Sequence, residues 1–146
     1  MGTDQIETTC IETLVELAEN FSQTLRPGEL VGLSGPLGAG KTTFVKYVSK
    51  SLGVTEEIIS PTFLYEQTYR LPMPFQGIIE LRHLDLYRIA DVADLDALGI
   101  QTVDPYSVAL VEWIEHVPSF AERADVTLTF TMNDHQQRFV QVRRNT

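Results

Sequence analysis

A second cysteine is missing from this sequence. Cys10 stands alone among 146 residues, so no disulfide forms within the chain and a reducing compartment fits. Positive charge is scarce too: eleven Lys and Arg face twenty Asp and Glu, a formal net charge of −9. A protein that grips DNA or RNA by its backbone carries a basic surface, so any nucleic-acid contact here must be local or made through a partner. No apolar run approaches the ~20 residues that span a bilayer, and MGTDQIETTC has no basic segment leading into an apolar one. Neither a membrane span nor a signal peptide is expected, and the Met-Gly start comes without a second anchoring signal. His83, His116 and His135 lack zinc-ligand spacing, and structural or surface roles are expected for them. Repeats and low-complexity tracts are also absent, and this length suits a single domain.

What is present reads as alternating helices and strands. Ile11, Leu14, Ala18, Phe21 and Leu25 recur at three- and four-residue steps, which predicts an amphipathic helix over about residues 6–25, ended by Arg26-Pro27-Gly28. Residues 29–34 read as a strand, and residues 41–52 as a helix with Gly53 just past its end. Ile59-Ser60-Pro61-Thr62 is a loop, because proline pushes its predecessor out of the helical region. Phe63, Tyr65, Gln67 and Tyr69 alternate as in a strand, LPMPFQG reads as a connection, and residues 77–85 as another strand. Residues 91–99 suggest a short acidic helix. Val108 to Glu112 is apolar up to its glutamate, as expected of a strand buried on both faces. Residues 125–131 and 138–142 predict a final hairpin around Asn133-Asp134. The order points to an α/β fold with a central mixed sheet flanked by helices.

One segment carries chemistry by itself. Gly35-Pro36-Leu37-Gly38-Ala39-Gly40-Lys41-Thr42, followed by Thr43, satisfies G-x-x-x-x-G-K-[ST] between a predicted strand and helix. Glycines let backbone N–H groups converge on phosphate oxygens, and the following helix aims its free N–H groups at the same charge. Lys41 is expected to reach the terminal phosphates of a nucleotide, and the Thr42 hydroxyl to ligate Mg²⁺. Chance would produce the pattern in on the order of half a percent of chains this long.

Such a loop needs a carboxylate at the end of a neighbouring strand. Glu112 closes SVALVEW, where a buried carboxylate is costly unless paired or placed on a metal. Asp85 closes HLDLYR, where an ion pair with Arg82 or Arg88 would account for it as well as catalysis does. Trp113, beside Glu112, falls close to the nucleotide on this reading. Thr62 in SPTF is placed to sense the terminal phosphate as switch segments do, although Ser-Pro-Thr alone is a common turn.

GPLGAGKTTF, ISPTF, HLDLYRI, LGI and ALVEW occur in that order, and together they resemble the TsaE (YjeE) family of small bacterial P-loop proteins, over about residues 13–142. The resemblance implies a P-loop NTPase-like single domain that binds ATP phosphates through residues 35–43. It implies that Thr42 and Glu112 hold Mg²⁺, that Asp85 is needed for hydrolysis, and that Ser60-Pro61-Thr62 is the first switch. It also implies a cytoplasmic ATPase, feeble alone, that acts with the TsaB–TsaD heterodimer in making threonylcarbamoyladenosine next to the tRNA anticodon. The transfer itself then belongs to TsaD, and tRNA is met only through the complex. Base contacts from Thr13 or its neighbours are left open, and none is carried over to NDHQQRFVQV.

Three rivals are separable. A switch GTPase needs a guanine-reading Asn-Lys-x-Asp segment, yet Lys41, Lys46 and Lys50 are the only lysines and all lie in the loop's helix. A small-molecule P-loop kinase needs an acceptor pocket and lid arginines, for which Arg82, Arg88 and Arg123 are candidates. A nucleotide-gated binding module would keep its biological role in an Asp85→Ala variant without turnover.

Overall fold

The computed structural model describes residues 5–58, 66–89 and 103–145. Among the described residues seven strands form one sheet: β1 (Gln5–Glu7), β2 (Leu30–Ser34), β3 (Glu66–Phe75), β4 (Ile78–Asp85), β5 (Ser107–Glu112), β6 (Val126–Met132) and β7 (Arg138–Arg144). Their spatial order is β1-β7-β6-β2-β5-β4-β3. The inner pairs β6–β2, β2–β5 and β5–β4 are parallel, while β1–β7, β7–β6 and β4–β3 are antiparallel. This is the mixed α/β sheet that the residue pattern predicts.

Two helices cover one face. In α1 (Ile11–Ser22), Leu14, Ala18 and Phe21 are buried, and in α2 (Lys41–Ser51), Phe44, Val45 and Val48 are buried. They pack over Val31 and Leu33 of β2 and Val108 and Leu110 of β5. Phe44 links the layers, its ring centroid 5.5 Å from Phe21 and 5.8 Å from Phe130 of β6 in tilted and edge-on contacts. The opposite face holds a second core of Leu30, Leu84, Ala109 and Val111, capped by Ile114 and Phe120. Those caps come from a 3₁₀ turn (Ile114–His116) and the short α3 (Pro118–Ala121), neither of which hydrophobic periodicity indicates. Gly32 makes room for the turn: a Cβ there would meet Ile114 Cδ1 at 2.8 Å. Burial of every residue of β5 explains its unbroken apolar run.

Two boundaries differ from expectation. The first helix begins at Ile11, because Gln5–Glu7 pairs with β7 as an edge strand and the Thr8 N–H extends that ladder to Arg138 O at 2.8 Å. The segment LPMPFQG is largely strand: β3 runs through Pro72 and Pro74 and turns only at Gln76-Gly77. β3 is the outer strand, where a missing N–H costs no ladder bond, and the register shifts between Arg70 and Phe75. The expected acidic helix over residues 91–99 and the SPT loop, with Thr62, lie outside the described residues. Among the described residues, no helix is long and apolar enough to cross a membrane.

Candidate functional site

Three parallel strands end together, and the candidate residues stand at their carboxyl ends. Register sets Leu33 of β2 against Glu112 of β5, and Glu112 against Asp85 of β4. In open α/β sheets this edge is where ligands bind. The glycine loop leaves β2 there and turns into α2. Gly35, at φ +138°, sits where a Cβ would lie 2.3 Å from Phe130 O, so no larger residue fits without displacing backbone. Helix α2 starts at Gly40 with no side-chain cap and no acidic residue in its first turn. Its first N–H groups are left for an anion.

The side chains of the loop close on the carboxylates. The Thr42 hydroxyl donates to Glu112, with Oγ1 at 2.8 Å from Oε1 and 3.0 Å from Oε2. Glu112 is 2% exposed and also contacts His83 Nε2 at 2.5 Å. Lys41 is buried; its ammonium donates to Gly35 O and lies 3.3 Å from the centroid of the Trp113 ring. Burial pushes the Lys41 pKa below its ordinary value, against the pull of Glu115, Glu112 and Asp85. The Gly35 N–H meets the Glu115 carboxylate at 3.1 Å. Asp85 is buried and accepts the Tyr87 N–H at 2.8 Å, which fixes its rotamer at the head of the DLYR turn. Arg82, one proposed ion-pair partner of Asp85, is engaged by Glu66 at 2.8 Å.

The walls were less legible. A cavity of about 440 Å³ is bounded by the loop and α2 (Gly38, Lys41, Thr42), by Asp85, Glu112 and Trp113, and by the β1–α1 junction with Arg138. From that junction Thr8, Thr9, Ile11 and Leu14 line it, and Thr13 does not. Thr8 Oγ1 and Arg138 Nε are buried there without a hydrogen-bond partner among the described residues. Arg138 belongs to the C-terminal segment to which the resemblance carries no contact. The only sequence signal was a polar residue opening a strand, and its neighbour in space is 130 positions away. Trp113, Tyr87 and His116 form an aromatic cluster, with Tyr87 5.0 Å from Trp113 and 5.7 Å from His116 between centroids. Arg82 and Arg123, candidates for a kinase lid, instead line a separate cavity against the second core.

This donor set fits a magnesium-bound polyphosphate. Among the described residues no three His, Cys, Asp or Glu side chains converge as a metal cage. Mg²⁺ on phosphates needs only one or two protein groups, all oxygen, which a hydroxyl and a carboxylate such as Thr42 and Glu112 can supply.

The chain has relatives. The family profile described as threonylcarbamoyl adenosine biosynthesis protein TsaE matches residues 8–140. A Treponema pallidum protein named tRNA threonylcarbamoyladenosine biosynthesis protein TsaE is 40% identical over 106 residues, 72% of this chain and 74% of that one. Its namesake from Nostoc sp. is 33% identical over 137 residues, 90% of this chain and 80% of the relative. The crystal structure of YdiB from Bacillus subtilis aligns with a TM-score of 0.66 at 25% identity, over 97% of this chain and 86% of YdiB. A profile match that runs from the foot of α1 into β7 takes in every candidate site residue, and by that match the chain belongs to the TsaE family.

Proposed function

We propose that this chain is a Mg²⁺-dependent ATPase of the cytoplasm that supports threonylcarbamoyladenosine formation in tRNA, acting on the TsaB–TsaD heterodimer and meeting tRNA only through it. One observation carries the reading: the Thr42 hydroxyl rests on the strand-end carboxylate of Glu112, beside a glycine loop with an uncapped helix start. That arrangement suits a cation held between protein oxygens and phosphates.

In this reading residues 35–43 wrap the phosphates, with backbone N–H groups at the start of α2 directed at them. Lys41 leaves the Gly35 carbonyl for the terminal phosphates, where exclusion of water strengthens the attraction between the opposite charges. Thr42 and Glu112 hold Mg²⁺, which neutralises charge on the phosphate oxygens. Asp85, locked by the Tyr87 N–H, orients the attacking water, whose oxygen joins phosphorus as the bond to the ADP oxygen breaks. Thr8, Thr9, Leu14 and Arg138 enclose the nucleoside. Thr62 reports loss of the terminal phosphate to the partner.

The test is phosphate release by the purified chain with and without TsaB–TsaD. Weak turnover alone and a large stimulation by the heterodimer support the proposal. Unchanged turnover with the heterodimer, or transfer of phosphate to a small metabolite without it, refutes it.

A further inference from the structure

The buried ring of His83 has no place in the chemistry above. It is 0% exposed on β4, two residues before Asp85 and therefore on the same sheet face, opposite Leu110 in the parallel register with β5. Its Nε2 lies 2.5 Å from Glu112 Oε2. A carboxylate only accepts, so the ring donates from Nε2. Its other nitrogen, Nδ1, has no hydrogen-bond partner among the described residues. A ring kept only to fill the core would be replaced by leucine or phenylalanine without leaving a polar atom unsatisfied. The single contact to Glu112 is what the imidazole adds.

That contact differs from the one made by Thr42. The Thr42 hydroxyl straddles both carboxylate oxygens, at 2.8 and 3.0 Å, and so singles out neither. His83 meets one oxygen from a neighbouring strand of the same sheet, where its ring is enclosed on all sides. Groups that ligate metals through carboxylates are commonly oriented by such outer partners, and losing one costs ~10–100-fold in metal affinity.

We infer that His83 is a positioning residue that sets the carboxylate plane of Glu112 for Mg²⁺ bound with nucleotide. The inference rests on the proposed role of Glu112 at the cation. His83 touches neither nucleotide nor cation; it acts through Glu112. The consequence is a selective one: the ring governs how much Mg²⁺ the site needs, not whether phosphates enter the loop.

The experiment uses the full chain and a non-hydrolysable ATP analogue, with binding read from the fluorescence of Trp113, the only tryptophan, which lines the cavity. Mg²⁺ is titrated for the wild type, His83→Leu, His83→Gln and Glu112→Gln. Glutamine keeps an N–H at the same number of bonds from Cβ as Nε2, whereas leucine removes it. His83→Leu should raise the Mg²⁺ concentration at half-saturation by ~10–100-fold. His83→Gln should restore most of that shift, and Mg²⁺-free analogue binding should stay level across the His83 variants. If the leucine variant folds poorly, His83→Met against His83→Gln gives the same comparison. A leucine variant that titrates like wild type overturns the inference, as does a parallel loss of Mg²⁺-free binding in both His83 variants. Glu112→Gln separates the two layers. If it shifts the half-point and His83→Leu does not, only the positioning role fails; if it leaves the half-point unmoved, the cation role of Glu112 fails and takes the positioning role with it.

Discussion

Lys41 holds a buried charge at a cost to stability. Its ammonium is folded into a site that burial makes unfavourable for charge, so its folded pKa lies below the unfolded value. Below the folded pKa the penalty on the fold is complete, and it fades as pH rises toward the ordinary lysine value. Denaturation of wild type and Lys41→Met at neutral and alkaline pH should therefore show the difference moving in favour of wild type as pH rises. A gap that does not change with pH contradicts the burial argument. The same variant should lose ~10²–10³-fold in ATP turnover, the scale of removing one electrostatic donor. Asp85→Asn should keep analogue binding while turnover falls ~10²–10⁴-fold, as when a group that handles the reacting water is removed. Equal loss of binding and turnover would make Asp85 structural. Lys41, Thr42, Asp85 and Glu112 were legible because each obeys a local rule of spacing or strand ending. Thr8 and Arg138 were not, because what places them in the cavity is an antiparallel pairing between the two ends of the sequence.

At the scale of elements, the β2–loop–α2 unit followed its sequence pattern almost residue for residue. Its glycines are not equivalent. Gly35 and Gly38 both have positive φ, but only at Gly35 would a Cβ strike backbone, whereas around Gly38 it meets nothing within 4 Å. Each alanine should cost about 1–2 kcal/mol for the left-handed conformation, and Gly35→Ala should lower the melting temperature clearly further than Gly38→Ala. Equal effects would show that the loop relaxes away from Phe130. The 3₁₀ turn escaped the sequence reading because three residues are too few for a periodic signal. It is held by His116, whose Nδ1 donates to Tyr87 O at 2.9 Å and to Leu86 O at 3.2 Å, tying it to the turn after Asp85. His116→Phe keeps the ring stacking and removes that bond, so chemical denaturation should show a loss of about 0.5–1.5 kcal/mol. The prolines in β3 misled for a different reason: nothing local says that a strand will lie at the edge of a sheet.

For the molecule as a whole, strand order was the least legible property, because it is set by contacts between distant residues. The class of sheet could be read from alternating elements, but not that β2 would lie between β5 and β6. Phe44, fully buried between both helices and β6, is the joint of this arrangement, and Phe44→Ala should cost ~3–5 kcal/mol in equilibrium unfolding. The strand order also has a consequence for synthesis. The first long apolar strand, LVGLS, finds both of its sheet neighbours only in residues 107–112 and 126–132. At a ribosomal pace of ~5–20 residues per second, it waits several seconds with both edges open. The strand that leads into the glycine loop is thus the one most in need of shelter on the nascent chain, and the cavity beside that loop cannot close until β7 has emerged to bring Arg138 against Thr8.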